Sequence, residues 1–190
     1  MNLILASNSP RRKQILKDYN FNFTVIPSNF EELVCQPTPE QTVKDFAFGK
    51  ANDVFKKLPD SQKEKSVVLG ADTIVYFNGK ILGKPKDKEE AIEMLKALSG
   101  KEHFVYTGYC IITKGKIINQ AVKSSVIFND LSNQLILEYV ATGKPLDKAG
   151  GYGIQDGFSL VKEYKGSFAN IVGLPIEHFN QTLKTLLEEG

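Results

Sequence analysis

Arg11 and Arg12 stand where a helix is expected to begin, in "LILASNSPRRKQIL", residues 3–16. A helix N-terminus carries partial positive charge, which favours acidic residues there and disfavours arginine. Two readings account for the pair. One is solvated surface charge. The other is an anion site built from backbone N–H groups, two guanidinium groups and nearby hydroxyls, with a bound anion removing the conflict with the dipole. Lys50 poses a similar question, because it falls on the apolar stripe of an amphipathic helix. It either snorkels to water or points into a cleft where a phosphate keeps it charged. Asp72 sits inside the apolar run "VVLGADTIVYF", residues 67–77. A carboxylate buried there needs a metal, a proton or a paired Lys or Arg.

Lys84 in "LGKPKD", Lys148 in "DKAG", and Glu31 or Glu32 in "FEE" complete the set. Singly, such residues are ordinary surface. Taken together, oxygen-only carboxylates suit Mg²⁺, which brings substrate phosphates with it, and the cations suit a polyphosphate. The sequence has no GxxxxGK[ST] run, so the set reads as Mg²⁺-dependent chemistry on a nucleoside triphosphate without a P-loop.

The elements that must position these residues follow from periodicity and punctuation. Leu3 to Ala6 reads as a strand, with Ser7 or Ser9 capping a helix that has Pro10 in its first position and Ile15, Leu16 and Tyr19 on its apolar side. A second strand covers about Phe21 to Ile26, and Asn29 to Pro39 reads as a loop. Thr42 to Leu58 is a strong amphipathic helix, its stripe formed by Val43, Phe46, Ala47, Ala51, Val54, Phe55 and Leu58. A long strand over Val67 to Phe77 turns at Asn78-Gly79 into a short strand at Ile81 and Leu82. Asp87 with Glu90 resembles a capping box for the helix that Ser99-Gly100 ends. Phe104 to Thr113 and Ile117 to Phe128 read as strands joined at "TKGK". Ser132 caps a helix to about Ala141, "DKAGGYGIQDG" is a glycine-rich loop, and a strand over Phe158 to Tyr164 precedes a last helix after Pro175, with Phe179, Leu183, Leu186 and Leu187 on its apolar face. Strands and helices interleave and hairpins are present, so the fold class is α/β with a mixed sheet.

Bulk properties remove several classes of function. The 190 residues fit one domain with two lobes, and 42% hydrophobic with 24% charged residues is ordinary for a globular chain. A net charge of +2 is too balanced to cover a nucleic-acid backbone. No apolar run reaches membrane-helix length, and no secretory signal is visible. Cys35 and Cys110 stand alone, which suits a reducing cytoplasm. His103 and His178 lack a metal-ligand spacing, which argues against zinc hydrolase chemistry.

The quoted motifs resemble the Maf proteins, also called septum formation inhibitor Maf. "LILASNSPRRKQIL" is similar to the family's opening, "FEE" at 30–32 to its acidic motif, "FAFGKA" to its lysine helix, and "GADTIV" with "KILGKPKDKEEAIEMLKALSGKEHFVYTG" to its longest signature. "PLDKAGGYGIQDG" and "GSFANIVGLP" resemble its last two. The resemblance covers nearly the whole chain. It implies one Maf-like domain over residues 1–190, with an elongated mixed sheet, flanking helices and two lobes around a central cleft, related in shape to inosine triphosphatases. It implies a nucleoside triphosphate pyrophosphatase, a homodimer, and a divalent metal, Mg²⁺ or Mn²⁺. By position, Asp72 is the proton acceptor, and Ser7, Arg12, Glu32, Lys50 and Lys84 line the triphosphate and metal site, with Glu32 and Asp72 on the metal. Arg11, Thr73 and Gln155, in "SPRR", "ADT" and "YGIQ", place the chain with the branch that prefers dTTP and UTP. The other branch, with Trp for the first arginine, prefers 7-methyl-GTP. A non-catalytic nucleotide-binding regulator of cell division is the competing class. Two positions depart from the family pattern: Lys144, commonly acidic, and Asp156, commonly glycine.

Overall fold

The computed structural model describes residues 2–33 and 37–188; Cys35 and the side chain of Leu187 lie outside the described set. Strand β1 (Asn2–Leu5) leads through a polar turn into α1 (Pro10–Asp18), whose N-cap is Ser9. Tyr19, expected on the apolar side of that helix, lies past its end and is 48% exposed, because the chain turns there through Asn20 in a left-handed conformation. Strand β2 (Phe23–Val25) follows. Helix α2 (Pro39–Lys57) starts ahead of the expected Thr42, because Thr38 supplies an N-cap oxygen and Pro39 fits the first turn. A single turn, α3 (Asp60–Lys63), precedes β3 (Ser66–Phe77).

Asn78 and Gly79 both have positive φ, 46° and 77°, as a type I′ turn needs, and β4 (Lys80–Leu82) pairs back on β3. In α4 (Lys88–Leu98), Asp87 accepts the Glu90 N–H. The Glu90 carboxylate accepts from Lys86 N–H, one residue before the position a capping box uses. Strands β5 (Glu102–Ile112) and β6 (Ile117–Phe128) form the long hairpin, and α5 (Asn133–Ala141) is capped by Ser132. A 3-10 turn, Lys144–Asp147, leads into the segment read as a glycine-rich loop, which itself contains a second, Ala149–Gly151. Strand β7 (Val161–Lys165) starts later than expected, since Phe158–Leu160 form a turn ahead of it. Two helices close the fold, α6 (Phe168–Val172), which has no expected counterpart, and α7 (Ile176–Glu188).

The sheet has seven strands in the order β2-β1-β3-β5-β6-β7, with β4 also on β3. β1 runs parallel to β2 and β3, and the remaining pairs are antiparallel, so the sheet is mixed as expected. Its core divides along the strands. At one end α1, α6 and α7 cover one face through Leu16, Val172 and Phe179, and α2 covers the opposite face through Ala47, Ala51 and Val54. At the other end α4 and α5 cover one face through Leu95, Leu98, Ile136 and Tyr139. β3 and β5 are long enough to run through both ends.

Two strand glycines fix where α2 lies. A Cβ at Gly70 would fall 2.2 Å from the Ala47 carbonyl oxygen, and one at Gly108 would fall 2.2 Å from that of Val43. Glycine in a strand marks such close backbone approach. Gly70 and Asp72 share a face of β3, two residues apart, so the flush packing of α2 delivers Lys50 onto Asp72.

Candidate active site

Asp72 is 6% exposed, and its Oδ1 accepts from Lys50 Nζ at 2.7 Å. Glu32 Oε1 meets the same ammonium at 2.5 Å. Two carboxylates therefore converge on one cation. Burial raises Asp72 above the ordinary carboxylate range, helped by the charge of Glu32 and opposed by Lys50 and Arg12. Burial also acts on Glu32 in the same direction, but Lys50, with Lys84 and Arg12, outweighs it and holds Glu32 below the usual value. Two neighbouring carboxyls pushed apart in this way are suited to different tasks, one nearer to taking a proton and one remaining an anion.

Arg12 is 8% exposed and is held by three acceptors. Its Nε donates to the Gly173 carbonyl at 2.9 Å, Nη1 to Ser7 Oγ at 3.1 Å, and Nη2 to Thr73 Oγ1 at 3.2 Å. Burial lowers its affinity for a proton, with Asp72 opposing that shift. Thr73 Oγ1 is in turn 2.9 Å from Thr107 Oγ1, so Thr73 is committed to holding Arg12. Arg11 reaches across to Asp147, with 2.8 Å to its carboxylate and 3.2 Å to its carbonyl. The two arginines at the start of α1 thus have protein acceptors of their own, which offsets the dipole conflict.

Lys148 is also buried, donating to the Lys144 carbonyl at 2.6 Å and to Asp147 Oδ1 at 2.7 Å, and lying 3.3 Å from Asp156 Oδ2. The departures Lys144 and Asp156 touch, the Lys144 ammonium donating to the Asp156 carbonyl at 3.1 Å. Lys84 forms no hydrogen bond or ion pair among the described residues.

These side chains line a cleft of about 480 Å³. Arg11, Arg12, Glu32, Lys50, Asp72, Thr73, Lys84, Lys148 and Gln155 all border it. Its apolar wall, absent from the sequence reading, comes from Phe46, Ile74, Val105, Tyr152 and Ile171. Ser7 borders an adjoining recess of about 330 Å³ at the N-terminus of α1, which shares Arg11, Arg12, Lys50 and Lys84 with the cleft. One end of the space is cationic and the other is apolar with Gln155 at its edge. That division suits an anionic chain attached to a flat ring. Asp147 and Gly173, which hold the arginines, also escaped the sequence reading. Nothing in "KPLD" or "IVGLP" distinguishes a carboxylate or carbonyl that faces a cation 136 or 161 residues away.

Among the described residues no group of three His, Cys, Asp or Glu side chains could hold a metal ion alone. Glu32 and Asp72 nevertheless fit a divalent cation that takes its remaining oxygen ligands from a substrate, since both already converge on a positive charge.

A family model described as Maf-like protein matches residues 2–186. Curated relatives are similar over almost the whole chain. A dTTP/UTP pyrophosphatase of Pyrococcus furiosus is 50% identical over 92% of this chain and 90% of its own. One of Caldicellulosiruptor saccharolyticus is 43% identical over 97% and 94%, and one of Clostridium tetani is 44% identical over 98% of each. The solved Ham1 protein of Staphylococcus aureus is a distant neighbour, with 14% identity, a TM-score of 0.41, and coverage of 68% of this chain and 73% of its own.

Proposed function

The chain belongs to the Maf-like family, and from that premise we propose that it is a nucleoside triphosphate pyrophosphatase acting on dTTP and UTP. The products are the nucleoside monophosphate and pyrophosphate. The observation that carries this reading is a buried carboxylate, Asp72, at a cleft bordered by Arg12, Lys50 and Lys84. Its raised proton affinity suits a base that takes a proton from an attacking water. A site that only bound anions would gain nothing from a buried negative charge there. The relatives named dTTP/UTP pyrophosphatase support the same activity.

The chain's residues divide the work. The triphosphate lies along the recess at the start of α1, where Lys84 is an uncommitted cation and Arg12 is fixed by Ser7, Thr73 and Gly173. Lys50 holds Asp72 in place and stabilises charge that develops on the phosphates. Glu32 and Asp72 would hold a Mg²⁺ or Mn²⁺ ion, whose chemistry when bound would be to neutralise charge on phosphate oxygens. The base sits against Phe46, Ile74 and Tyr152, with the Gln155 amide at its pairing edge. A cationic 7-methylguanine would meet the positive charge of Arg11 and lacks a stacking Trp, so the pyrimidine is favoured by at least ~10-fold in kcat/KM. No described helix is long and apolar enough to cross a membrane. We read the enzyme as a cytoplasmic homodimer, in line with the family resemblance.

The test is a panel of nucleoside triphosphates incubated with the purified protein and Mg²⁺ or Mn²⁺, followed by chromatography of the products. dTTP and UTP turning over fastest, with activity lost in excess chelator, agrees with the reading. CTP or 7-methyl-GTP as the best substrate would show that Arg11, Thr73 and Gln155 do not set the preference.

A further inference from the structure

We propose that Tyr139 and Asp156, neither of which borders the cleft, are positioning residues that hold the segment Asp147–Gln155 at the height needed to receive the nucleotide. This proposal rests on the dTTP/UTP reading for the identity of the nucleotide, and its first readout needs no turnover.

That segment has little regular structure to fix it. It begins at the end of one short 3-10 turn, contains a second and is otherwise rich in glycine, yet it supplies Lys148, Gly153, Ile154 and Gln155 to the cleft. Tyr139 comes from α5, the helix behind it, and is fully buried. Its hydroxyl donates to Asp156 Oδ2 at 2.6 Å and accepts the Gly153 N–H at 2.9 Å. One phenol oxygen therefore joins α5 to Gly153 inside the segment and to Asp156 directly after it. Burial and the neighbouring Asp156 both raise the Tyr139 phenol well above its ordinary range, so it stays a donor at any working pH.

Asp156 continues the chain of contacts. Its Oδ2 faces Lys148 Nζ at 3.3 Å, Lys148 reaches Asp147, and Asp147 pairs with Arg11 on α1. The charges alternate from Arg11 to Asp156, and the alternation ends on the Tyr139 hydroxyl. Packing closes the same unit. A Cβ at Gly153 would fall 2.7 Å from both Asp156 carboxylate oxygens and from Lys148 Cε, so the carboxylate and the lysine stem lie directly over that glycine. The Phe158 ring stacks at a tilt on Tyr139, centroids 4.7 Å apart. Asp72, Lys50 and Arg12 lie on the other wall and are not part of this chain of contacts. Loss of the Tyr139 hydroxyl should therefore weaken substrate capture and leave the chemical step intact.

The experiment uses the full chain with Tyr139→Phe, Asp156→Ala and Asp156→Asn. Amide hydrogen exchange at Gly153 in the nucleotide-free protein is read first. Tyr139→Phe should speed it at least ~10-fold, and unchanged exchange in a folded variant overturns the proposal. Steady-state kinetics with dTTP is read second. Tyr139→Phe and Asp156→Ala should raise KM about 10-fold with kcat within about 2-fold, and Asp156→Asn, which keeps an acceptor for Tyr139, should recover most of that loss. A fall in kcat with KM unchanged overturns the proposal, as does an Asn variant no better than Ala. A wild type that hydrolyses no triphosphate removes the substrate reading, and the exchange result then decides the positioning by itself.

Discussion

One wall of the cleft is carried by β3, α1 and α2; the other is carried by two 3-10 turns and the chain from Lys148 to Gln155. The first wall holds its charges on regular elements. Asp72 lies mid-strand, Lys50 mid-helix and Arg12 in the first turn of a helix, and Gly70 and Gly108 let α2 lie flush on the sheet. The Lys50–Asp72 pair has side chains 15% and 9% exposed, so water screens it little and its geometry is tightly set. The second wall spends its charges differently. Its Asp147, 56% exposed, meets Arg11 of the first wall, 22% exposed, a pairing that contributes on the order of 1 kcal/mol or less. Its shape comes from side chains that tie turns together. The difference teaches where precision is needed: chemistry needs groups fixed by rigid elements, whereas recognition works from a loop that side chains hold at one height.

The largest effect should come from the first wall. Asp72→Asn keeps the shape of the carboxyl and removes its ability to take a proton. Hydrolysis should fall about 10²- to 10⁴-fold, with thermal stability unchanged or higher because a buried charge is gone. Near-normal turnover would reduce that wall to a structural ion pair and erase the contrast.

Lys50→Met sharpens the same contrast by stability. A uniformly apolar α2 stripe would suggest a neutral change, but the substitution strands the Asp72 carboxylate without its cation. Unfolding free energy in urea should drop by about 3 kcal/mol, and Lys50→Met combined with Asp72→Asn should recover most of it. Lys50→Met alone as stable as wild type would mean that Lys50 contributes nothing to holding the buried Asp72 carboxylate.

The second wall offers a smaller, pH-dependent effect. Tyr152 borders the cleft, and behind it His103 is buried with Nε2 2.7 Å from the Tyr152 hydroxyl. Burial lowers His103 to about 4. Between that value and the unfolded value of about 6.5, the unfolded chain takes up a proton that the folded protein refuses. The stability associated with a neutral His103 is therefore complete above pH ~6.5 and declines as pH falls toward 4. Denaturant midpoints measured across that window should fall with pH, and His103→Gln should flatten the dependence. An equal slope in the variant would place the acid sensitivity elsewhere.

Legibility in the sequence divided along the same line. Arg12, Lys50 and Asp72 stood out because each breaks a pattern: a cation at a helix start, a lysine on an apolar stripe, an acid in an apolar strand. The mixed sheet and most element boundaries followed from periodicity and caps. The second wall gave only a glycine-rich loop and a few cations. Its order depends on contacts between distant residues, such as Arg11 with Asp147 and Tyr139 with Asp156, and no local pattern encodes these. Gly70 and Gly108 were readable signals of close helix approach that the strand pattern concealed. Helix α6 is one turn long and left no period to read.

The most direct test of the division between the walls follows dTTP hydrolysis in time, with Mg²⁺ present, for wild type and Asp72→Asn side by side. The account predicts dTMP and pyrophosphate appearing in equal amounts from the wild type, and a loss of both with Asp72→Asn while the variant still binds dTTP. Orthophosphate as the first product, or equal rates from the two proteins, would contradict it.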